Sequence, residues 1–227
     1  MGIKERKERE KGARREEIIN AAERIFFEKG FAPATMDEIA ESAELSKGTL
    51  YLYYKSKEDL YIAVLLRGSE IMYEMFKKAI ATDENPIRHL FNLGEAYFAY
   101  FQEQRNYFRM YYFLENPRIH SQVSSEMMEQ CELLDTRIWD LVVGIIRRAV
   151  EGGLLRDDVD PLEAGVMLWS NSNGLMRLID RDEWAWTGKH GLNLEAMLRK
   201  ANKLLVQAMM TEKAKASFDD LVTPARP

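Results

Sequence analysis

Six residues, Met127, Cys131, Leu134, Ile138, Leu141 and Ile145, step along the chain by four, three, four, three and four positions. At 3.6 residues per turn this spacing lines all six up on one stripe of a helix. Leu194, Leu198, Ala201, Leu205 and Ala208 repeat the rhythm. No convincing run shows the strict alternation that a half-buried strand needs. An apolar stripe must be covered by another, so the chain is expected to be all-α, built as a bundle. The spacing predicts helices over about 13–29, 35–43, 46–54, 56–81, 87–104, 107–114, 120–151, 160–180 and 193–212, with a mobile arm at 1–12 and a tail at 213–227.

Composition narrows the class. Apolar residues make up 46% of the 227, enough for a core, and a single cysteine rules out an intrachain disulfide. The first ten residues are mostly charged, and no apolar run reaches the ~18 residues of a membrane span. A cytoplasmic protein is expected, with no membrane partner. The net charge of −5 excludes a chain that coats nucleic acid with its whole surface. A local basic patch stays possible, and residues 45–57 supply one, with three lysines and no acid.

That patch lies in the most informative stretch. Thr35-Met-Asp-Glu38 is a capping box that starts one short helix, and Ser46 caps a second. Ala43-Glu-Leu separates them, which is helix-turn-helix spacing. The second helix suits DNA. Gly48 allows close backbone approach, Lys47 and Lys57 can neutralise phosphates, and Thr49, Tyr51 and Tyr53 offer hydroxyls. Leu45, Leu50 and Tyr54 should turn inward onto Ile18, Ile25, Phe26 and Ile39. Two capped helices of an ordinary all-α protein would show the same geometry; the uneven charge favours DNA.

Together these pieces resemble the bacterial TetR-type transcriptional regulators. The likeness spans about 50 residues: Ile-Ile-Asn-Ala-Ala-Glu-Arg-Ile-Phe of helix one, Lys29-Gly-Phe31, Thr35-Met-Asp-Glu-Ile-Ala40, Leu45-Ser-Lys-Gly-Thr-Leu-Tyr51 and Tyr54-Lys-Ser-Lys-Glu-Asp-Leu60. The resemblance implies a DNA-binding domain over 1–56 and a ligand-sensing, dimerising domain over 57–227. It implies that Thr35 caps its helix and touches a phosphate. Ser46, Lys47, Gly48 and Thr49 would lead the recognition helix into the major groove, with Tyr51, Tyr53 and Lys57 beside them. Leu52 is apolar where many relatives carry an aromatic or polar residue; it could meet a thymine methyl group or nothing. The family reading is a homodimeric repressor released from a palindromic operator by a hydrophobic small molecule. A regulator that needs its ligand, an activator, and a helical carrier without DNA binding are the alternatives.

The rest of the chain carries two further signals. Residues 97–113 hold nine of the 24 aromatics. Tyr97, Tyr100, Phe101, Tyr107, Phe108 and Tyr111, with Trp139, Trp169 and Asn173, are candidate pocket residues; ordinary core is the competing reading. The small polar run Ser170-Asn-Ser-Asn-Gly174 follows Trp169 inside an apolar helix. Met167, Ser170 and Gly174, with Leu198, Ala201 and Leu205 of the last long helix, are candidate dimer contacts. Nothing calls for catalysis, a metal or a cofactor. The three histidines are far apart and lack metal-ligand spacing, and Cys131 sits on an apolar stripe.

Overall fold

The computed structural model describes residues 2–81, 84–113 and 121–219. Its helices are α1 (Ile3–Lys29), α2 (Met36–Ser42), α3 (Lys47–Tyr53), α4 (Lys57–Ile80), α5 (Pro86–Glu103), α6 (Arg105–Phe113), α7 (Ser125–Glu151), α8 (Pro161–Glu183), α9 (Leu194–Met209) and α10 (Glu212–Ala216). Among the described residues the β pairing consists of one isolated bridge, Leu155 to Met210. None of the described helices is long and apolar enough to cross a membrane. The fold is all-α, with the helix-turn-helix at the N-terminus.

Two compact units form, and they do not follow chain order. One joins residues up to 71 with those described in 104–134; the other joins 72–103 with the residues from 135 onward. Helices α4 and α7 each begin in the first unit and end in the second.

In the first unit, Ile18, Ala21, Ala22 and Phe26 of α1, Ile39 and Ala40 of α2, Leu50 of α3, and Leu60 and Val64 of α4 are all buried; α1 packs on α2, α2 on α3, and Phe26 meets Tyr61 of α4 edge-on. Helix α6 joins this head although it lies far along the chain. Tyr107 packs edge-on against Phe27, with ring centroids 5.0 Å apart. It also presses on α4 so closely that a β-carbon at Gly68 would sit 2.4 Å from its ring. Only glycine permits that approach. The Tyr107 hydroxyl donates to Glu23, and burial followed by this carboxylate raises its pKa well above the ordinary tyrosine value. Arg67 bonds the same carboxylate at 2.8 Å, as well as Glu16 and Asn20. Tyr61 donates to the carbonyl of Met110 at 3.0 Å. These bonds tie α1, α4 and α6 together.

Residues 3–12, expected as an arm, are helical and continuous with the rest of α1. Helix α1 begins at Ile3, and its charges sit where a helix pairs them: Arg6 with Glu10 at 3.1 Å, Arg14 with Glu17 at 2.6 Å. Such pairs support the stretch of α1 before Ile18, which among the described residues buries no apolar side chain.

In the second unit, Phe76 of α4, Ile87, Leu90 and Leu93 of α5, Ile145, Ile146 and Ala149 of α7, and Val206 and Met209 of α9 share one core. Ala214 and Phe218 are buried in the same core, so residues 213–219 are not a tail either. The Leu155–Met210 bridge and the bond from Thr211 N–H to the Leu154 carbonyl fasten that end down. The remainder of the expected tail, 220–227, lies outside the described residues.

Candidate nucleic-acid interface

The head sets two short helices at a fixed angle through local chemistry. Thr35 caps α2: its hydroxyl oxygen accepts from the N–H of Glu38, and the Glu38 carboxylate accepts from the N–H of Thr35 at 3.0 Å. Lys29 donates to that carboxylate at 2.6 Å. Lys29 first, then Thr35, hold the Glu38 pKa below its usual value. Glu44 then takes a left-handed conformation, φ 56°, which non-glycine residues seldom adopt. That twist lets the N–H of Leu45 reach the Ala40 carbonyl at 2.9 Å and closes the end of α2. Ser46 caps α3, accepting from the N–H of Thr49 at 3.1 Å.

Leu50 and Tyr54 point inward, as the spacing predicts. Burial pushes the Tyr54 hydroxyl up to about 12. The opposite face of α3 is open. A β-carbon on Gly48 would meet only the Ser46 hydroxyl, at 3.9 Å. Tyr51 is exposed, and Thr49 and Tyr53 are half-buried beside the face.

Three expected contacts have other partners here. The Thr35 hydroxyl donates to Glu38 at 3.0 Å, so its proton is already engaged. Lys47 pairs with Asp37 of α2 at 2.7 Å, and this carboxylate raises its pKa. The acid-free stretch seen in the sequence therefore has an acid beside it in space. Lys57 is corrected more firmly. Its ammonium donates to the carbonyls of Phe31, Ala32 and Ala34 at 2.8, 3.3 and 2.8 Å and lies 4.3 Å from the Phe31 ring centre. An ammonium has three protons, so these bonds make Lys57 a clamp on the α1–α2 turn. Lys57→Met should lower unfolding free energy by about 1–3 kcal/mol, because carbonyls lose their donors. Urea denaturation of the variant checks this.

Lys55, which the motif reading passed over, stands exposed in the bend between α3 and α4, with no ion-pair partner among the described residues. Its place in the acid-free stretch is the signal that could have found it.

The other candidate residues separate. Tyr107, Phe108 and Tyr111 belong to the first unit. There Tyr107 is the strut described above, its hydroxyl spent on Glu23, and is removed from the pocket set. Phe108 is buried and Tyr111 exposed. In the second unit, Tyr97 donates to the Asn173 side-chain oxygen at 2.7 Å, and its ring stacks 6.5 Å from that of Tyr100. Tyr100 and Phe101 are buried core. Trp139 and Trp169 pack edge to face with centroids 6.2 Å apart.

The polar run of α8 divides by face. Asn171 and Ser172 share hydrogen bonds with Asn202 of α9, at 2.8 and 3.1 Å, while Ser170 and Gly174 face outward. Leu198 is 2% exposed and packs within its own protomer, so it leaves the dimer set. Met167 is exposed; Ala201 and Leu205 are half-buried. Around them Leu162, Val166, Met197 and Leu204 are exposed as well, which the stripe reading had not separated.

A capped helix pair with an open, glycine-bearing outer face is the geometry of a helix-turn-helix DNA-binding head. The sequence model of the family described as "Bacterial regulatory proteins, tetR family" matches residues 18–64. The transcriptional activator FasR of Mycolicibacterium smegmatis is 29% identical over 77% of this chain and 82% of its own length. The TetR-family regulator PfmR from Thermus thermophilus superposes with TM-score 0.62 at 26% identity, over 84% of this chain and 97% of that one. FadR from Bacillus subtilis, solved in complex with stearoyl-CoA, shares the fold at TM-score 0.64 and 20% identity, over 84% and 96%. Residues 18–64 thus carry the DNA-binding domain of the TetR family, and the chain as a whole is similar to regulators of that family.

Proposed function

We propose that this chain works in the cytoplasm as a homodimeric repressor. Residues 1–56 read a palindromic operator; residues 57–227 bind a hydrophobic effector and join the two copies. The observation that carries the DNA reading is the outer face of α3, where Gly48 has open space and Tyr51 is exposed, with Lys55 exposed two residues beyond the end of the helix. The half-sites of a two-fold dimer lie about 34–36 Å apart or a multiple of that. Binding, not catalysis, is the activity.

Release works through the helices. Helix α4 runs from the head into the second unit, so an effector that packs against α4 moves the head, which Tyr107, Glu23 and Arg67 hold together as one piece. It must bind the shifted state more tightly, since equal affinity for both states moves nothing. The Tyr97–Asn173 hydrogen bond and the Trp139 and Trp169 rings of the second unit support this reading, since an effector site needs a few polar groups among apolar ones. A long-chain acyl-CoA is the first effector to try, because FadR of the same fold was solved with stearoyl-CoA.

Footprinting the protein on DNA flanking its coding region, with and without stearoyl-CoA, tests the reading. A two-fold-symmetric footprint that fades with the thioester is expected. A footprint that strengthens would favour a ligand-requiring regulator or an activator, as FasR is named. Sequence-blind binding would leave a helical carrier.

The lysines make a separate prediction. Lys55→Ala should lower the slope of log K against log salt by about one, the worth of one phosphate contact. Lys47→Ala should lower it by less, because Asp37 already faces that charge. Asp37→Asn should tighten DNA binding. A full-unit change for Lys47 and none for Lys55 would reverse these roles.

A further inference from the structure

Leu52 is 84% exposed, and no large apolar side chain among the described residues is more so. Its position on α3 gives that exposure a meaning. Leu50, fully buried, marks the inner face. Gly48 and Leu52 lie two residues to either side of it, each about 200° around the helix, and are four residues apart. They therefore share the outermost line of the helix, one turn above the other. Along this line comes first a hollow, since a β-carbon at Gly48 would find open space, and then a leucine knob. The polar groups, Thr49 and Tyr51, stand to the sides.

Folding gains nothing from that leucine, which touches little of its own chain. A lone exposed leucine on a general surface would need no account. This one stands on the centre line of the helix that faces DNA. The major-groove floor consists of hydrogen-bond donors and acceptors, with one apolar group, the 5-methyl of thymine. Against any other base edge, Leu52 would strip water and return no hydrogen bond. Against a thymine methyl it buries apolar surface on both sides.

We propose that Leu52 reads a thymine in each half-site through its 5-methyl group, and that this contact sets operator preference at that position. The proposal rests on the operator-binding reading above. Deoxyuridine differs from thymidine only by this methyl, so exchanging one for the other isolates the contact. Burying one methyl is worth about a factor of four in affinity, hence about fifteen for two symmetric half-sites.

The experiment selects operators from a randomised duplex pool with the wild-type chain and then replaces each symmetric thymine pair by deoxyuridine. One pair should cost the wild type about fifteenfold. For Leu52→Ala, which removes an exposed side chain and should melt like the wild type, the same exchange should cost less than twofold. The proposal is overturned if every uridine penalty survives in Leu52→Ala, or if no thymine pair shows one. Failure to select any operator would sink the DNA-binding reading itself and this proposal with it. Selection that succeeds without a Leu52-dependent penalty sinks this proposal alone.

Discussion

A Gly48→Leu variant is expected to melt at or above the wild-type temperature and to lose at least about a hundredfold in operator affinity. The two effects have opposite signs because one concerns the fold and the other the contact with DNA. Within the fold, glycine at this position is a liability. It has helical backbone angles, and a β-carbon there meets only the Ser46 hydroxyl at 3.9 Å. Exchanging glycine for leucine in a helix gains up to about 1 kcal/mol, less in a first turn. Against DNA the added side chain is an obstruction. It would stand on the outermost line of α3 and hold the backbone away from the base edges by the thickness of an isobutyl group. Hydrogen bonds to bases need heavy atoms within about 3 Å, so lifting the helix breaks them together. Specific complexes are typically about 10³–10⁷ tighter than non-specific ones, which leaves ample room for the loss. Gly48→Ala, adding one methyl group, should fall between. Thermal melting and a fluorescence-anisotropy titration of the selected operator decide it. Undiminished affinity in Gly48→Leu would show that this face of α3 does not meet DNA; a lower melting temperature would show that the glycine serves the fold.

The helices and their caps were legible because their causes are local. The Thr35–Glu38 box and the Ser46 cap each act over three residues, and the 3.6-residue stripes name the inward face of a single helix. The site was harder to read wherever its chemistry crosses the chain. Lys57 looked like a phosphate ligand because a lysine beside a recognition helix commonly is one; its clamp on Phe31, Ala32 and Ala34 depends on how the α1–α2 turn folds back. Asp37 neutralises Lys47 from ten positions away, which a charge count over 45–57 could not register. Tyr107 belongs to an aromatic cluster in sequence but to the DNA-binding head in space, bonded to a residue 84 positions earlier. In α9 the difficulty was different in kind. That helix is apolar on more than one side, so its stripe could not tell Leu198, which is buried in its own protomer, from Leu204, which is more than half exposed.

That distinction carries the other large prediction. Leu162, Val166 and Met167 of α8, with Met197 and Leu204 of α9, are between 41% and 56% exposed. On α9, Met197, Ala201 and Leu204 follow the i, i+4, i+7 rhythm of one face. Two packed helices, each with an uncovered apolar face, fit the proposed homodimer, in which a two-fold copy would complete them as a four-helix bundle. Ser170 and Gly174, small and outward-facing, leave room for close helix contact. A carboxylate at the centre of such an isologous face would meet its own image, so one substitution places two like charges in an apolar contact. Leu204→Glu should therefore sediment as a monomer at micromolar concentration while keeping its helical signal, because residue 204 is 56% exposed in the protomer. The DNA consequence is larger than any single contact. One head on one half-site forfeits the effective concentration that the second head supplies, a gain commonly of 10²–10⁴, so operator affinity should fall by about that factor. Leu133→Glu is the control: it alters a leucine just as exposed, 62%, on α7. It should leave both the dimer and the footprint intact. A dimer that survives Leu204→Glu and dissociates with Leu133→Glu would move the interface to α7.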